Sequence, residues 1–292
     1  MERLSYVYGP VRSWRSGTSL GIDPIGSTST CSFSCAYCQL GKIQKVTTEI
    51  KTYVPTEYII EDLQALEASG GFVYEDLDVI TFAGSGEPTL AQNLAQMIDA
   101  IRELYKDRKK QVPISILTNA TMFNDSLVRE RALHADLISL KLDAPNDEIL
   151  SSVNQPAEGV SVASIVSGIT MLALDCQADT TLQLQIMIMP KWLGKNEYLA
   201  EMAAVIRDLG INKLQINTPT RAKPVSKTGD YWIDTRGNHY GPGEADDIKP
   251  EYIEFTELPV ITKEQAFALE DTWRELLRDS LPELEIVNVY KR

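Results

Sequence analysis

Histidine is nearly absent from this chain of 292 residues: His134 and His239 are the only two, and neither has a second metal ligand at paired spacing. His134, at a helix end, reads as a partner for the helix dipole rather than as a base. Cysteine is scarce too, four in all with none before Cys31, and three of them are clustered. That layout is not the disulfide framework of a small secreted protein. Cys176, in helical 171-MLALDCQAD-179, reads as an inert thiol. Positive charge is short as well: 28 Lys and Arg against 41 Asp and Glu leave a net charge of −13. A nucleic-acid enzyme ordinarily carries a basic footprint, whereas this balance repels bulk RNA. Arg3, Arg12 and Arg15 form one local basic group; Lys106 to Lys110 form another, which reads as solvated surface. No apolar run approaches membrane-spanning length, and no basic segment followed by an apolar one opens the chain. These absences lead to the expectation of a cytoplasmic protein with no membrane partner. Internal repeats and low-complexity tracts are also missing.

What is present is a β-then-α rhythm. Short β-branched runs stand at 19-SLGIDPI-25, 77-LDVITFAG-84, 113-PISILT-118, 137-LISLKLD-143, 182-LQLQIMIM-189 and 213-KLQINT-218. Helical periodicity fills Thr56 to Ser69, Leu90 to Tyr105, Asp125 to Leu133, Val162 to Leu174 and Asn196 to Leu209. A last helix over Lys263 to Ser280 precedes a closing strand near 284-LEIVNV-289. Alternation of this kind predicts a parallel sheet with right-handed crossovers.

The strands choose between an open sheet and a barrel. In 182-LQLQIMIM-189, Leu182, Leu184, Ile186 and Ile188 face one way; Gln183, Gln185, Met187 and Met189 face the other. Ile138, Leu140 and Leu142 likewise oppose Ser139, Lys141 and Asp143, and Leu214 and Ile216 oppose Gln215 and Asn217. Strands covered by helices on both faces would be apolar on both, and a closed eight-stranded barrel fills its interior with branched apolar side chains. A polar inner face predicts a wet lumen in a partial, six-stranded (β/α) barrel of TIM type. The expected organisation is one domain: an arm over 1–18, a barrel core over 19–218 and a capping extension over 219–292. Within that extension Thr220 to Glu257 has no clear period, and its aromatic residues Tyr231, Trp232, Tyr240 and Tyr252 argue against plain disorder.

Directly after the first run comes 31-CSFSCAYC-38. Functional loops of parallel α/β folds lie at the carboxyl ends of strands, so chemistry is expected here. Three close thiolates suit zinc or an iron–sulfur cluster. Structural zinc wants four protein ligands, commonly as separated pairs, and three thiolates would make catalytic zinc a poor Lewis acid. A [4Fe–4S] cluster with one iron left open fits best; a non-catalytic zinc or iron–sulfur protein is the alternative.

The same residues resemble the CxxxCxxC signature of the radical S-adenosylmethionine superfamily, including Tyr37 before the last cysteine. The next strand ends in 84-GSGEPTL-90, similar to that superfamily's glycine-glycine-glutamate segment with Ser85 replacing a glycine. The ends 118-TNA-120 and 141-KLDAP-145 are similar too. The resemblance spans roughly residues 6 to 220. It implies that Cys31, Cys35 and Cys38 each ligate an iron, and that S-adenosylmethionine chelates the open one. It further implies that backbone at Gly84, Ser85 and Gly86 meets the methionine amino group, glycine allowing close approach, with Glu87 supporting the loop. Asn119 and Asp143 are candidates for the ligand's ribose or carboxylate, Tyr37 for the neighbourhood of the adenine, and Gln185 for a contact from the inner face. Lys141 is either an anion site for cofactor or substrate or a structural pair with Asp143; Arg221 and Arg12 are further anion-binding candidates. The implied activity is reductive cleavage of S-adenosylmethionine to a 5′-deoxyadenosyl radical that takes hydrogen from a small-molecule, peptide or protein substrate. An electron donor such as flavodoxin or ferredoxin is implied with it.

The lead-in 8-YGPVRSWRSGTSLGIDPIG-26 and 215-QINTPTR-221 resemble the branch that includes the wyosine-forming tRNA enzymes. Trp14 stands where that branch commonly has arginine. Those enzymes also hold a second cluster on extra N-terminal cysteines, and none precedes Cys31. With the charge of −13, this makes a tRNA substrate the disfavoured alternative.

Overall fold

A computed structural model describes residues 5–176, 178–193, 196–220, 223–226, 232–233, 239–240 and 253–290. Its main sheet contains β1 (Val7–Ser13), β2 (Gly17–Ile22), β3 (Val79–Phe82), β4 (Ile114–Thr118), β5 (Leu137–Lys141), β6 (Thr181–Met187), β7 (Lys213–Asn217) and β8 (Glu285–Asn288). They lie side by side in chain order, β1 antiparallel to β2 and every later neighbour parallel. The sheet curls into a partial TIM-type barrel, with β2 to β7 the six strands read from the sequence.

Helices cover the outer face: α1 (Thr56–Ala68), α2 (Leu94–Leu104), α3 (Ser126–Ala132), α4 (Asp147–Val153), α5 (Val162–Asp175), α6 (Pro190–Leu193), α7 (Asn196–Leu209) and α8 (Lys263–Leu277). The outward residues of the strands build the core. Leu20, Ile22, Phe82, Ile116, Ile138, Leu140, Leu184, Ile186 and Ile216 are all completely buried. Helix α2 meets them with Leu94, Met97, Ile98 and Ile101, at the spacing of one helical stripe. Helix starts are capped by side chains at Asp125, Asn146, Ser161 and Thr262, each satisfying an otherwise orphaned backbone N–H.

Two segments differ from the sequence reading. The residues read as an arm form β1, which pairs along β2 with a register shift between Tyr8 and Val11. The short helix α4 was not anticipated. The last helix and closing strand form where the sequence placed them: β8 joins the edge of β7, and α8 packs beside α7 with the Trp273 indole donating to the Leu199 carbonyl. Arg221 and most of Thr220 to Glu257 fall outside the described residues, as does Arg3.

The inner face is polar as expected, but its amides bond to one another. Gln185 donates to Gln215 at 3.0 Å, Gln215 to Gln183 at 3.0 Å, and Gln183 to Ser139 at 2.5 Å. All four are buried. The expectation that these side chains line a wet cavity is therefore corrected. Strand register sets Gln185 between Lys141 and Gln215, so a ladder of neutral amides satisfies itself without water.

Candidate radical SAM site

The cysteine loop sits over the carboxyl ends of β2 to β5 and is fastened on three sides. On the first, Thr30 forms a bridge with Gly86: the Thr30 N–H donates to the Ser85 carbonyl at 3.0 Å, and the Glu87 N–H to the Thr30 carbonyl at 3.1 Å. A Cβ on Gly86 would lie 1.7 Å from the Thr30 oxygen. Glycine is thus required at 86 by the chain's own backbone. Gly84 is needed for a different reason: its φ of +135° lies where side chains are strained, and a Cβ there would meet Asp23.

Two buried carboxylates hold this side. Asp23 accepts from the Ser85 hydroxyl at 2.6 Å and from the backbone of Ile25 and Gly26. Glu87 accepts from Thr89, the Thr118 hydroxyl and, at 2.8 Å, the Asn119 backbone N–H. Burial raises both carboxyls above their ordinary range, and the hydrogen bonds oppose it.

On the second side Asn119 reaches the loop from the end of β4. Ala120 adopts a φ of 63°, a left-handed conformation costing an alanine about 1 kcal/mol. The Asn119 amide donates to Ser32 at 2.8 Å and toward the Cys31 sulfur at 3.5 Å, while its oxygen accepts from Thr121.

The third side is the end of α4. Ser34 N–H donates to the Asn154 carbonyl at 2.9 Å, Ala36 N–H to Val153 at 2.7 Å, and Ala157 N–H to Ser32 at 2.8 Å. Asp143 completes it. It accepts from the Tyr37 hydroxyl, from the Asn154 amide at 2.7 Å, from Met187 N–H at 2.7 Å and from Lys141 at 3.3 Å. The Lys141 ammonium also lies 4.8 Å from the centre of the Tyr37 ring, a cation–π distance. Lys141 therefore pairs with Asp143 while keeping part of its side chain exposed, 15% against 0% for Asp143. Gln185 stands apart from this cluster of contacts, in the amide ladder below it.

Cys31, Cys35 and Cys38 are in no disulfide, and each is half-buried. Burial pushes Cys31 well above the ordinary thiol range, with Glu87 adding to it. Burial likewise pushes Cys35 up to about 12, followed by the repulsion of Cys38 and Asp143 and opposed by Asn154 and Lys141. Thiols held protonated in this way ionise against a strongly cationic partner. Among the described residues no three His, Cys, Asp or Glu side chains converge on the position of a single metal ion. Three thiols on one loop are soft donors of the kind that hold an iron–sulfur cluster. The donor set fits the cluster.

Sequence reasoning missed Asp23 and Asn154. The turn 23-DPIG-26 was a usable signal for the first; nothing local marks the second.

This fold is a partial TIM-type barrel, and residues 25–172 match the Radical SAM superfamily, a class of enzymes. The chain belongs to that superfamily, whose members use a [4Fe–4S] cluster and S-adenosylmethionine. It is 40% identical over 237 residues to a UPF0026 protein of Synechocystis, covering 80% of this chain and 82% of the relative. A UPF0026 protein of Methanocaldococcus jannaschii is 31% identical over 218 residues, 75% of this chain and 64% of the relative. Among solved structures, TYW1 with a lysine-pyruvate adduct superposes at a TM-score of 0.57 and 12% identity, over 89% of this chain and 75% of that one. Streptococcus suis SuiB bound to S-adenosylmethionine superposes at 0.52 and 13% identity, over 92% and 46%. At such identities the likeness is one of fold. Among the described residues no helix is long and apolar enough to cross a membrane.

Proposed function

We propose that this protein is a radical S-adenosylmethionine enzyme in which Cys31, Cys35 and Cys38 hold a [4Fe–4S] cluster. The observation that carries the reading is three cysteine thiols on one loop, locked by backbone to Gly86 and to the end of α4. A bound cluster supplies the electron that splits S-adenosylmethionine into methionine and a 5′-deoxyadenosyl radical. The chain's own residues hold and orient the reactants. The loop at Gly84, Ser85 and Gly86 is the proposed seat of the methionine end, with Glu87 fixing it. The Tyr37 neighbourhood receives the adenosine, and Asn119 and Asp143 act through the loop they fasten. Lys141, whose ammonium is partly exposed beside the loop, and Arg221 are the proposed anion contacts; Gln185 is the proposed contact from the barrel wall.

The proposed substrate is a small molecule, peptide or protein side chain, and the electron donor a small protein such as flavodoxin or ferredoxin. A tRNA substrate is disfavoured by the net charge of −13 and the lack of cysteines before Cys31. The test is anaerobic reconstitution followed by reduction with S-adenosylmethionine present. About four irons and four sulfides per chain, with 5′-deoxyadenosine formed, are expected. Zinc uptake without iron and sulfide, or no 5′-deoxyadenosine, would overturn the reading.

A further inference from the structure

Asn154 is completely buried and follows the last residue of α4. Its backbone carbonyl takes the Ser34 N–H, so its position relative to the cysteine loop is fixed. Its side chain can adopt only one of its two amide orientations. Asp143 Oδ2 lies 2.7 Å away and, as a carboxylate, can only accept. The amide nitrogen must therefore face Asp143. The Asn154 oxygen, on the other side, is buried and has no hydrogen-bond partner among the described residues. One amide hydrogen goes to Asp143. The other is directed into the space shared by Cys35 Sγ at 3.4 Å and the Tyr37 hydroxyl at 3.2 Å. Tyr37 donates its own proton to Asp143 and still accepts through its oxygen, so the second amide hydrogen is shared between the hydroxyl and the Cys35 sulfur.

We infer, resting on the radical enzyme reading above, that Asn154 raises the reduction potential of the cluster by donating an N–H···S bond to its Cys35 ligand. Hydrogen bonds to ligand sulfurs stabilise the more negative, reduced cluster. Asp143 and Tyr37 are the positioning residues that aim the donor. The arrangement gives one carboxylate two effects on the loop: it anchors Tyr37, and it turns Asn154 toward sulfur. Asn119 makes the analogous, longer approach to Cys31 at 3.5 Å, so two of the three ligand sulfurs receive a side-chain amide.

N154L tests this, because leucine fills a similar volume with no donor and no change in net charge. The reconstituted full-length wild type and variant are titrated anaerobically against low-potential mediators, with the reduced cluster followed by EPR. The expected result is a lower potential in N154L by about 59 mV, a tenfold shift in the reduced-to-oxidised ratio, at unchanged iron and sulfide content. A second measurement needs no substitution at 154. In wild type labelled with 15N-asparagine, pulsed EPR of the reduced cluster should show two inequivalent coupled amide nitrogens. An unchanged potential in a fully loaded N154L, or no coupled amide in wild type, overturns the inference alone. A wild type that takes up no iron and sulfide overturns the radical enzyme reading and this inference with it.

Discussion

The polar face of the barrel has two levels that solve the same problem differently. At mid-strand, Ser139, Gln183, Gln185 and Gln215 pair neutral amides with one another and with a hydroxyl across neighbouring strands. At the strand ends, Asp23, Glu87 and Asp143 are buried carboxylates that tie loops to one another and to the last residues of strands. The ladder joins strands that backbone bonds already join, so its loss is felt as stability. The rim joins the cysteine loop to the rest of the chain, so its loss is felt at the cofactor.

The largest expected effect is that of C35S at the rim. Iron uptake should fall to background, measured by metal analysis after reconstitution, while the thermal midpoint of the apo chain stays within a few degrees of wild type. Full iron loading in C35S would remove Cys35 from the proposed ligand set. G86A comes next. The Thr30 carbonyl is backbone and cannot move aside from a Cβ placed 1.7 Å away. A loss of about 3 kcal/mol in urea unfolding is expected, together with weaker cluster retention. A stable G86A that loads normally would show the two loops to be independent.

Q215L tests the other level. It removes two ladder bonds and leaves Gln185 Nε2 and Gln183 Oε1 without their partner, at a cost of about 2 kcal/mol. Iron uptake should be unchanged; reduced loading would erase the distinction between the levels. The smallest effect is that of D23N. Burial raises the Asp23 carboxyl above its unfolded value, so the folded state holds the proton more tightly. Its contribution to stability is present below the unfolded value and is lost as pH rises through the folded one. Asparagine does not titrate, so the stability of D23N relative to wild type should increase with pH across that window. A difference that is flat in pH would show that Asp23 is ionised at no cost.

The two levels also differ in how far the sequence exposed them. Alternation in 182-LQLQIMIM-189 revealed which residues face inward, and the cysteine spacing with 84-GSGEPTL-90 located the rim. What alternation cannot state is that Gln183 and Gln215 satisfy each other, because that depends on the register of β6 against β7. Strand β1 was obscured by Gly9 and Pro10, residues that ordinarily demote a strand; a register shift between Tyr8 and Val11 accommodates them. Asn154 was invisible for a plainer reason: its contact with Cys35 spans 119 positions, and helix α4, which delivers it, has seven residues. Lys141 was correctly set beside Asp143, but its approach to the Tyr37 ring follows from the curl of the sheet, which no local pattern encodes.

The crossing of Gly86 over Thr30 leaves no room for a single added carbon. Such a contact acts as a spacer of fixed thickness between the strand-end loop and the first cysteine. Any change that thickens or tilts either loop must be taken up elsewhere in the chain, since this point cannot yield. The tolerance for insertions should therefore be smallest between residues 26 and 35 and grow with distance from it, whatever substrate the barrel receives.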